Sequence, residues 1–482
     1  MNKALLFHLW MFSIGFLFCS RLQGTPDGLF RTLIAFPVGW AVFGIWATMV
    51  YAVHFSATSQ VAVLVVLALI TLALLFANVR QRCLSKYSIV SATAGLLVLG
   101  AVSVGVDVLR IITITPDSSY IARFGQNIGL GNYEASRMVF SQWGPFVPLI
   151  HSLTKLLNQR LYWQYEPLFA LHLVALVFYT MYTVIREHRS LVQSLVGAGI
   201  LMSVMTCSNI FVFHTFYIHV NIIAATYMYL AVVGVIAMHE QRGIAYEVIA
   251  LLSLIAFSLV RLEAPLFAIV ILLVMMFREG YSYVDRLKLV VPFTVVLIAW
   301  HARVYFFLPA DPDILSKRFV LAMIALLIGF GLFALASGWK PVGRIVKQTP
   351  ALTLIGLMLT SIVLTVMNPA HMATSLKSIA RNILFDGNWG FTWYLIFFLG
   401  AVSYFVPRDA TDRADGRTGD PMIMVLVSYI VLVYSLAYFT DAYHPGEIDS
   451  ANRLMLQVVP LIVLYFAGQY ADVIQPQTER HL

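Results

Sequence analysis

Long apolar runs separated by short polar stretches follow one another from one end of the chain to the other. Fifteen can be read without interruption: 4–20, 32–54, 61–78, 89–106, 162–184, 191–207, 217–238, 244–260, 264–277, 290–308, 320–339, 351–367, 391–407, 421–441 and 458–474. They do not alternate, so an outer-membrane barrel is excluded. A helix needs about 20 apolar residues to cross a bilayer. The runs therefore predict an all-α, polytopic transmembrane protein of about 13–15 spans. The short run 264–277 meets 244–260 at Arg261-Leu262-Glu263, and the two read as a re-entrant pair that turns within the headgroup layer. The first run resembles a signal peptide in its Lys3 and apolar stretch. Cys19-Ser20-Arg21 lacks the small-x-small cleavage pattern, Phe18 argues against lipoprotein cleavage, and further runs follow at once. It is read as a membrane helix.

Composition sharpens this picture. Of the 482 residues, 60% are hydrophobic and 11% charged, and the mean hydropathy is +0.84. Soluble domains carry about 25% charged residues, so a soluble enzyme, a disordered scaffold and a secreted disulfide protein are excluded. The net charge of +8 is not gathered into a dense basic run, so nucleic acid is not an expected partner. It reflects the Lys and Arg that membrane proteins keep in cytoplasmic loops. Cys19, Cys83 and Cys207 show neither disulfide pairing nor metal-ligand spacing.

Basic residues concentrate in 21–31, 79–88, 185–190, 239–243, 278–289, 340–350, 408–420 and the tail. That bias predicts a cytoplasmic C-terminus and puts 107–161 on the outward side. Within this long outward loop Pro116-Asp117 opens a helix in which Tyr120, Ile121, Phe124 and Ile128 recur at helical spacing, and Gly129 and Gly131 stop it. A second stretch, 147–157, follows Trp143-Gly144-Pro145 and is suited to lying along the membrane surface. Further outward loops are 208–216, 309–319, 368–390 and 442–457.

Each residue with chemical potential has a plain structural reading beside a functional one. Asp117 can cap a helix or act as a general base at the membrane surface. Asp107 can pair with Arg110 or support the same site. His214 and His219, with Asn221, can be interfacial residues or line a site. Arg261 is costly near lipid without a partner. Glu263, two residues on, cannot face it along a straight helix, so the turn or a phosphate must satisfy it. Arg is suited to phosphate because its planar fork donates two hydrogen bonds; otherwise Arg261 snorkels to headgroups. Arg453 enters the last run behind the polar loop of His444, Glu447 and Asp449, and is either a phosphate ligand or an anchoring residue.

Asp117-x-x-Tyr120, then Gly129-Leu130-Gly131-Asn132-Tyr133-Glu134 and Trp143-Gly144-Pro145-Phe146-Val147-Pro148-Leu149, resembles the first outward loop of GT-C glycosyltransferases. These polytopic enzymes use polyprenyl-phosphate sugars and include the protein O-mannosyltransferase and lipid A aminoarabinose transferase branches. Ser258-Leu259-Val260-Arg261-Leu262-Glu263 is similar to a turn between inner spans of that family, and Arg453 with Pro460 to its last core helix. The resemblance covers roughly 89–300 and the Arg453 segment. It implies Asp117 as catalytic base and Arg261 and Arg453 as ligands of the donor phosphate. Asp107, Tyr120, Glu134, His219, Asn221, Glu263, His444 and Glu447 are supporting candidates. Ser118 stands where many members carry Glu, and the region 213–221 lacks the family's second acid. The pattern therefore assigns no definite cofactor and leaves open a divalent cation (Mg or Mn).

The implied arrangement is 1–88 as additional N-terminal helices, 89–308 as a GT-C-like catalytic module, and 309–482 as C-terminal helices. The implied activity is transfer of a hexosyl or pentosyl group from a polyprenyl-phosphate sugar to a glycan, lipid or protein acceptor. It would take place on the outer face of the bacterial inner membrane, with membrane lipid around the chain. The alternatives are an O-antigen or capsule polymerase acting through Arg110, Arg123, Arg137 and Arg160, a lipid-linked saccharide flippase or transporter, and a structural membrane subunit.

Overall fold

The computed structural model describes residues 3–22, 28–53, 56–81, 83–132, 144–158, 162–241, 243–278, 280–307, 317–405 and 419–472. In chain order the helices begin with α1 (Lys3–Arg21), α2 (Gly28–Val53), α3 (Ala57–Arg80), α4 (Lys86–Leu109) and α5 (Pro116–Gly129). Then come α6 (Phe146–His151), α7 (Thr154–Leu157), α8 (Tyr165–Arg186), α9 (Leu191–Thr206), α10 (Asn209–Thr215), α11 (Asn221–Gln241), α12 (Ile244–Val260) and α13 (Ala264–Met276). The rest are α14 (Tyr283–Phe307), α15 (Lys317–Ala336), α16 (Lys340–Met367), α17 (Pro369–Arg381), α18 (Thr392–Phe405), α19 (Gly419–Leu436) and α20 (Ser450–Asp472). A π-helical turn, Asn382–Asp386, follows α17. Among the described residues the only β-type contact is an isolated parallel bridge between Thr113 and Tyr217.

Among the described residues every apolar run is mostly helix. Helices are the natural solution because lipid offers no partner to a backbone N–H or C=O. Eleven are long and apolar enough to cross a membrane, and α9 with α10, bent by 77°, makes a twelfth if counted as one span. The chain is an all-α, multi-pass membrane protein. The count by length falls below the expected 13–15 because α12, α13 and α18 have only 17, 13 and 14 residues. A hydropathy run does not see where a helix ends, whereas its reach is set at about 1.5 Å per residue.

The described helices fall into two compact units. The first holds Met1–His172, Phe216–Leu272 and Met276–Lys347; the second holds Leu173–Thr215, Leu273–Met275 and Gln348–Leu482. Both 88 and 308 lie inside the first.

In the first unit α1 and α2 meet backbone to backbone. A Cβ at Gly15 would collide with the carbonyl oxygen of Ala35, and one at Gly39 with that of Met11. Small residues allow this approach where helices gain no hydrophobic drive from lipid. Pro37 lies within α2 and has no N–H, so the carbonyl of Leu33 loses its helical donor. His172 of α8 supplies one: its Nδ1 lies 2.7 Å from Leu33 O. Large apolar side chains of α3 and α4, among them Leu72, Phe76, Val90 and Leu97, stay exposed, as suits faces turned to lipid. In the second unit Thr392 Oγ1 donates to Val204 O at 2.9 Å, and Tyr429 Oη to Leu454 O at 2.9 Å.

Candidate functional site

The site is built around the start of α5. Thr115, not Asp117, is the N-cap: its hydroxyl accepts from Ser118 N while Ser118 Oγ accepts from Thr115 N, a capping box. Ser118 thus does itself what a carboxylate at that position would do. It also donates to Ile218 O at 3.0 Å. With the bridge from Thr113 N to Phe216 O at 2.8 Å and Thr115 Oγ1 to Tyr217 Oη at 3.0 Å, this pins segment 216–219 against the loop. Released from capping, Asp117 keeps a side chain 37% exposed, with Oδ2 3.8 Å from His219 Nε2.

His219 is buried and stacked on Tyr217, with ring centroids 5.1 Å apart. Its Nδ1 lies 2.9 Å from Asn221 Nδ2. Asn221, fully buried at the start of α11, accepts at Oδ1 from Arg261 Nη1 at 2.9 Å. Arg261 is the extended residue that ends α12, and its Nε pairs with Glu263. The kink between α12 and α13 brings together two residues that a straight helix would hold apart. Among the described residues Arg261 Nη2 makes no hydrogen bond, and the side chain is 13% exposed. Asp117, His219, Asn221, Arg261 and Glu263 therefore form one continuous polar chain.

Two further residues complete it. An acid reaches segment 216–219 from another helix: Glu166, buried in the first turn of α8, accepts the His219 N–H at Oε1, 3.1 Å away. Its Oε2 is buried with no hydrogen-bond partner among the described residues. An acid in the first turn of an apolar span was its sequence signal. Gly144 lies against the Arg261 turn, where a Cβ would strike Leu259 O and come within 2.7 Å of Arg261 N. The Gly-Pro motif of the long loop is thereby joined to the Arg261 motif. Behind the loop, His151 is wholly buried with Nε2 2.8 Å from Tyr165 Oη, and burial lowers its pKa to about 3.

Other candidates lie apart from this chain of contacts. Asp107 accepts from Gln164 Nε2 at 3.2 Å. Tyr120 is exposed and stacked on Phe124. Glu134 lies outside the described residues, as do Arg137 and Arg160.

Arg453, His444 and Glu447 belong to the second unit. There Asp449 caps α20, accepting from Ala451 N at 2.9 Å, and also accepts from His444 N at 2.8 Å. Asn382 donates to His444 O at 2.9 Å, and Asn388 donates to Glu447 Oε2 at 2.7 Å. Asn452 Nδ2 donates to Gly387 O at 3.0 Å. Glu447 thus ties two loops together. Arg453 donates from Nη2 to Ser450 Oγ at 3.3 Å.

No family model, curated protein or solved structure matches the chain. The site has to be judged on its own chemistry. It offers a half-exposed carboxylate, a buried imidazole and a guanidinium with one edge unused. Among the described residues no three His, Cys, Asp or Glu side chains are grouped to hold a metal ion. Asp117 and Glu166 contact different parts of His219, and Glu263 is committed to Arg261. Among the described residues these side chains are not arranged as a divalent-cation site.

Proposed function

We propose that the chain is an integral-membrane glycosyltransferase that takes its sugar from a polyprenyl-phosphate donor on the outer face of the bacterial inner membrane. The observation that supports this most is the single polar chain from Asp117 through His219 and Asn221 to Arg261. It joins a base and a phosphate ligand at one end of a set of apolar helices. Ionisable groups are costly beside lipid, and these come from three separate parts of the sequence. The family resemblance named the same acid and the same arginine from motifs alone.

In the proposed step the acceptor hydroxyl attacks the anomeric carbon while Asp117 takes its proton. The new C–O bond forms as the bond from the anomeric carbon to the phosphate oxygen breaks, and the electron pair leaves with the polyprenyl phosphate. Arg261, held at Nε and Nη1, turns Nη2 to that phosphate. A single displacement inverts the anomeric centre. The acceptor is a glycan, lipid or protein.

The test is release of polyprenyl phosphate by purified protein supplied with polyprenyl-phosphate sugars, wild type beside Asp117→Asn and Arg261→Ala. Release by the wild type with a loss of about 10²-fold or more in Asp117→Asn supports the assignment. Undiminished release in Asp117→Asn removes Asp117 as the base. Binding of lipid-linked oligosaccharide with no release from any donor favours the polymerase or flippase.

A further inference from the structure

The contacts of Asn221 carry an inference about His219. An arginine side chain only donates hydrogen bonds, so the Asn221 atom facing Arg261 Nη1 at 2.9 Å must be its oxygen. The amide NH2 then faces His219 Nδ1 at 2.9 Å. That group only donates, so Nδ1 must be the bare, accepting nitrogen of the ring. The ring proton is left on Nε2, the nitrogen 3.8 Å from Asp117 Oδ2. The backbone fixes the ring from the other side, because His219 N–H is held by Glu166 and the ring lies on Tyr217.

We propose that Asn221 is a positioning residue that locks His219 as its Nε2–H tautomer, so that His219 serves the site only as a hydrogen-bond donor. This deepens the reading of Asp117 as the base and rests on it. A distance of 3.8 Å is too long for a direct hydrogen bond. The Nε2–H reaches the carboxylate through one water or hydroxyl, or after a shift of about 1 Å. It engages the carboxylate at Oδ2, the oxygen that faces Nε2. His219 cannot compete for the incoming hydroxyl proton, since the nitrogen facing the site already carries one. Arg261 sets the state of the imidazole through Asn221, which makes the phosphate ligand and the base two ends of one oriented chain.

The experiment is 15N NMR of the full-length protein in detergent, labelled at histidine, with the His219 signals assigned by their loss in His219→Gln. In the wild type Nδ1 is expected to be unprotonated and Nε2 protonated. Asn221→Asp puts a pure acceptor beside Nδ1, so Nδ1 should gain a proton, whether the tautomer inverts or an imidazolium forms. In the same variant kcat should fall by about 10²-fold or more, with KM for the donor changed far less. Arg261→Gln is the second variant. It frees the Asn221 amide to turn over, and a mixture of tautomers should replace the single one. A protonated Nδ1 in the wild type overturns the proposal, as does an Nδ1 unchanged in both variants. The signal does not depend on turnover. The expected tautomer in a protein that releases no polyprenyl phosphate would leave the locked ring standing and remove the glycosyltransferase reading. Release with the opposite tautomer would do the reverse.

Discussion

At the scale of single residues, the site shows what spacing can and cannot reveal. Asp117, His219, Asn221, Arg261 and Glu263 were legible because polar groups at the ends of apolar runs are few and costly. Glu166 carried a signal of the same kind, an acid opening an apolar span, but its role did not show, because its partner is a backbone amide 53 residues away and no local pattern marks such a contact. Removing it should be felt in stability: Glu166→Ala leaves the His219 N–H buried and unpaired, at a cost of about 1–3 kcal/mol. Glu166→Gln, which keeps an accepting oxygen, should lose much less when the two are compared by thermal melting in detergent. His151 makes a second, pH-dependent prediction. Its folded pKa of about 3 lies below the unfolded value near 6.5. Between those values the unfolded chain binds the extra proton, so stability rises with pH and is lost as pH falls below about 6.5. Lowering the pH from 7 to 5 should cost about 2 kcal/mol through this residue alone. His151→Gln, which keeps an acceptor for Tyr165, should flatten that part of a melting-temperature profile.

At the scale of elements, the helices were visible in the sequence and their ends less so. Amphipathic spacing located α5, even to its glycine stop, because that spacing and a Pro-Asp start both act locally; its cap, Thr115, was not read from the sequence. The mutual placement of α5, α6 and the α12–α13 turn was hidden, since it depends on contacts between distant backbones. Gly144 is where this can be measured. Gly144→Ala drives a methyl group into the α12 terminus and should destabilise the protein by about 1–3 kcal/mol. Gly105→Ala is the control. Nothing lies within 4 Å of a Cβ there, and a helical glycine replaced by alanine should gain about 0.5–1 kcal/mol. If both variants melt alike, the loop does not bear on the α12 terminus as described.

At the scale of the molecule, contacts within the first unit decide which way several helices run. Asn221, at the start of α11, and Arg261, at the end of α12, are bonded to each other, so α12 returns along α11 to the face it left. Tyr281 then donates to Val235 O at 2.8 Å, near the far end of α11, so α13 travels away again despite its 13 residues. The turn 261–263 is thus shared by two helices that each run most of the depth of α11. With the three native cysteines replaced, single cysteines at Asn132 and Leu262 should label with an impermeant thiol reagent from the same side of sealed cells. A cysteine at Arg278 should label only from the other side. Labelling of Leu262 and Arg278 from one side would break this threading.

The histidine that completes the hydrogen bonding of α2 has a meaning in time. Leu33 and His172 are 139 residues apart in the chain. At synthesis rates of about 5–20 residues per second, that separation is roughly seven to thirty seconds. Throughout that interval α2 has already been made, yet the carbonyl below Pro37 still lacks the imidazole that will cover it. A nascent helix with such a notch gains by remaining in a hydrated or protein-lined exit and loses by drifting into hydrocarbon. The arrival of α8 ends the wait, because only then can His172 cover the carbonyl that Pro37 leaves bare.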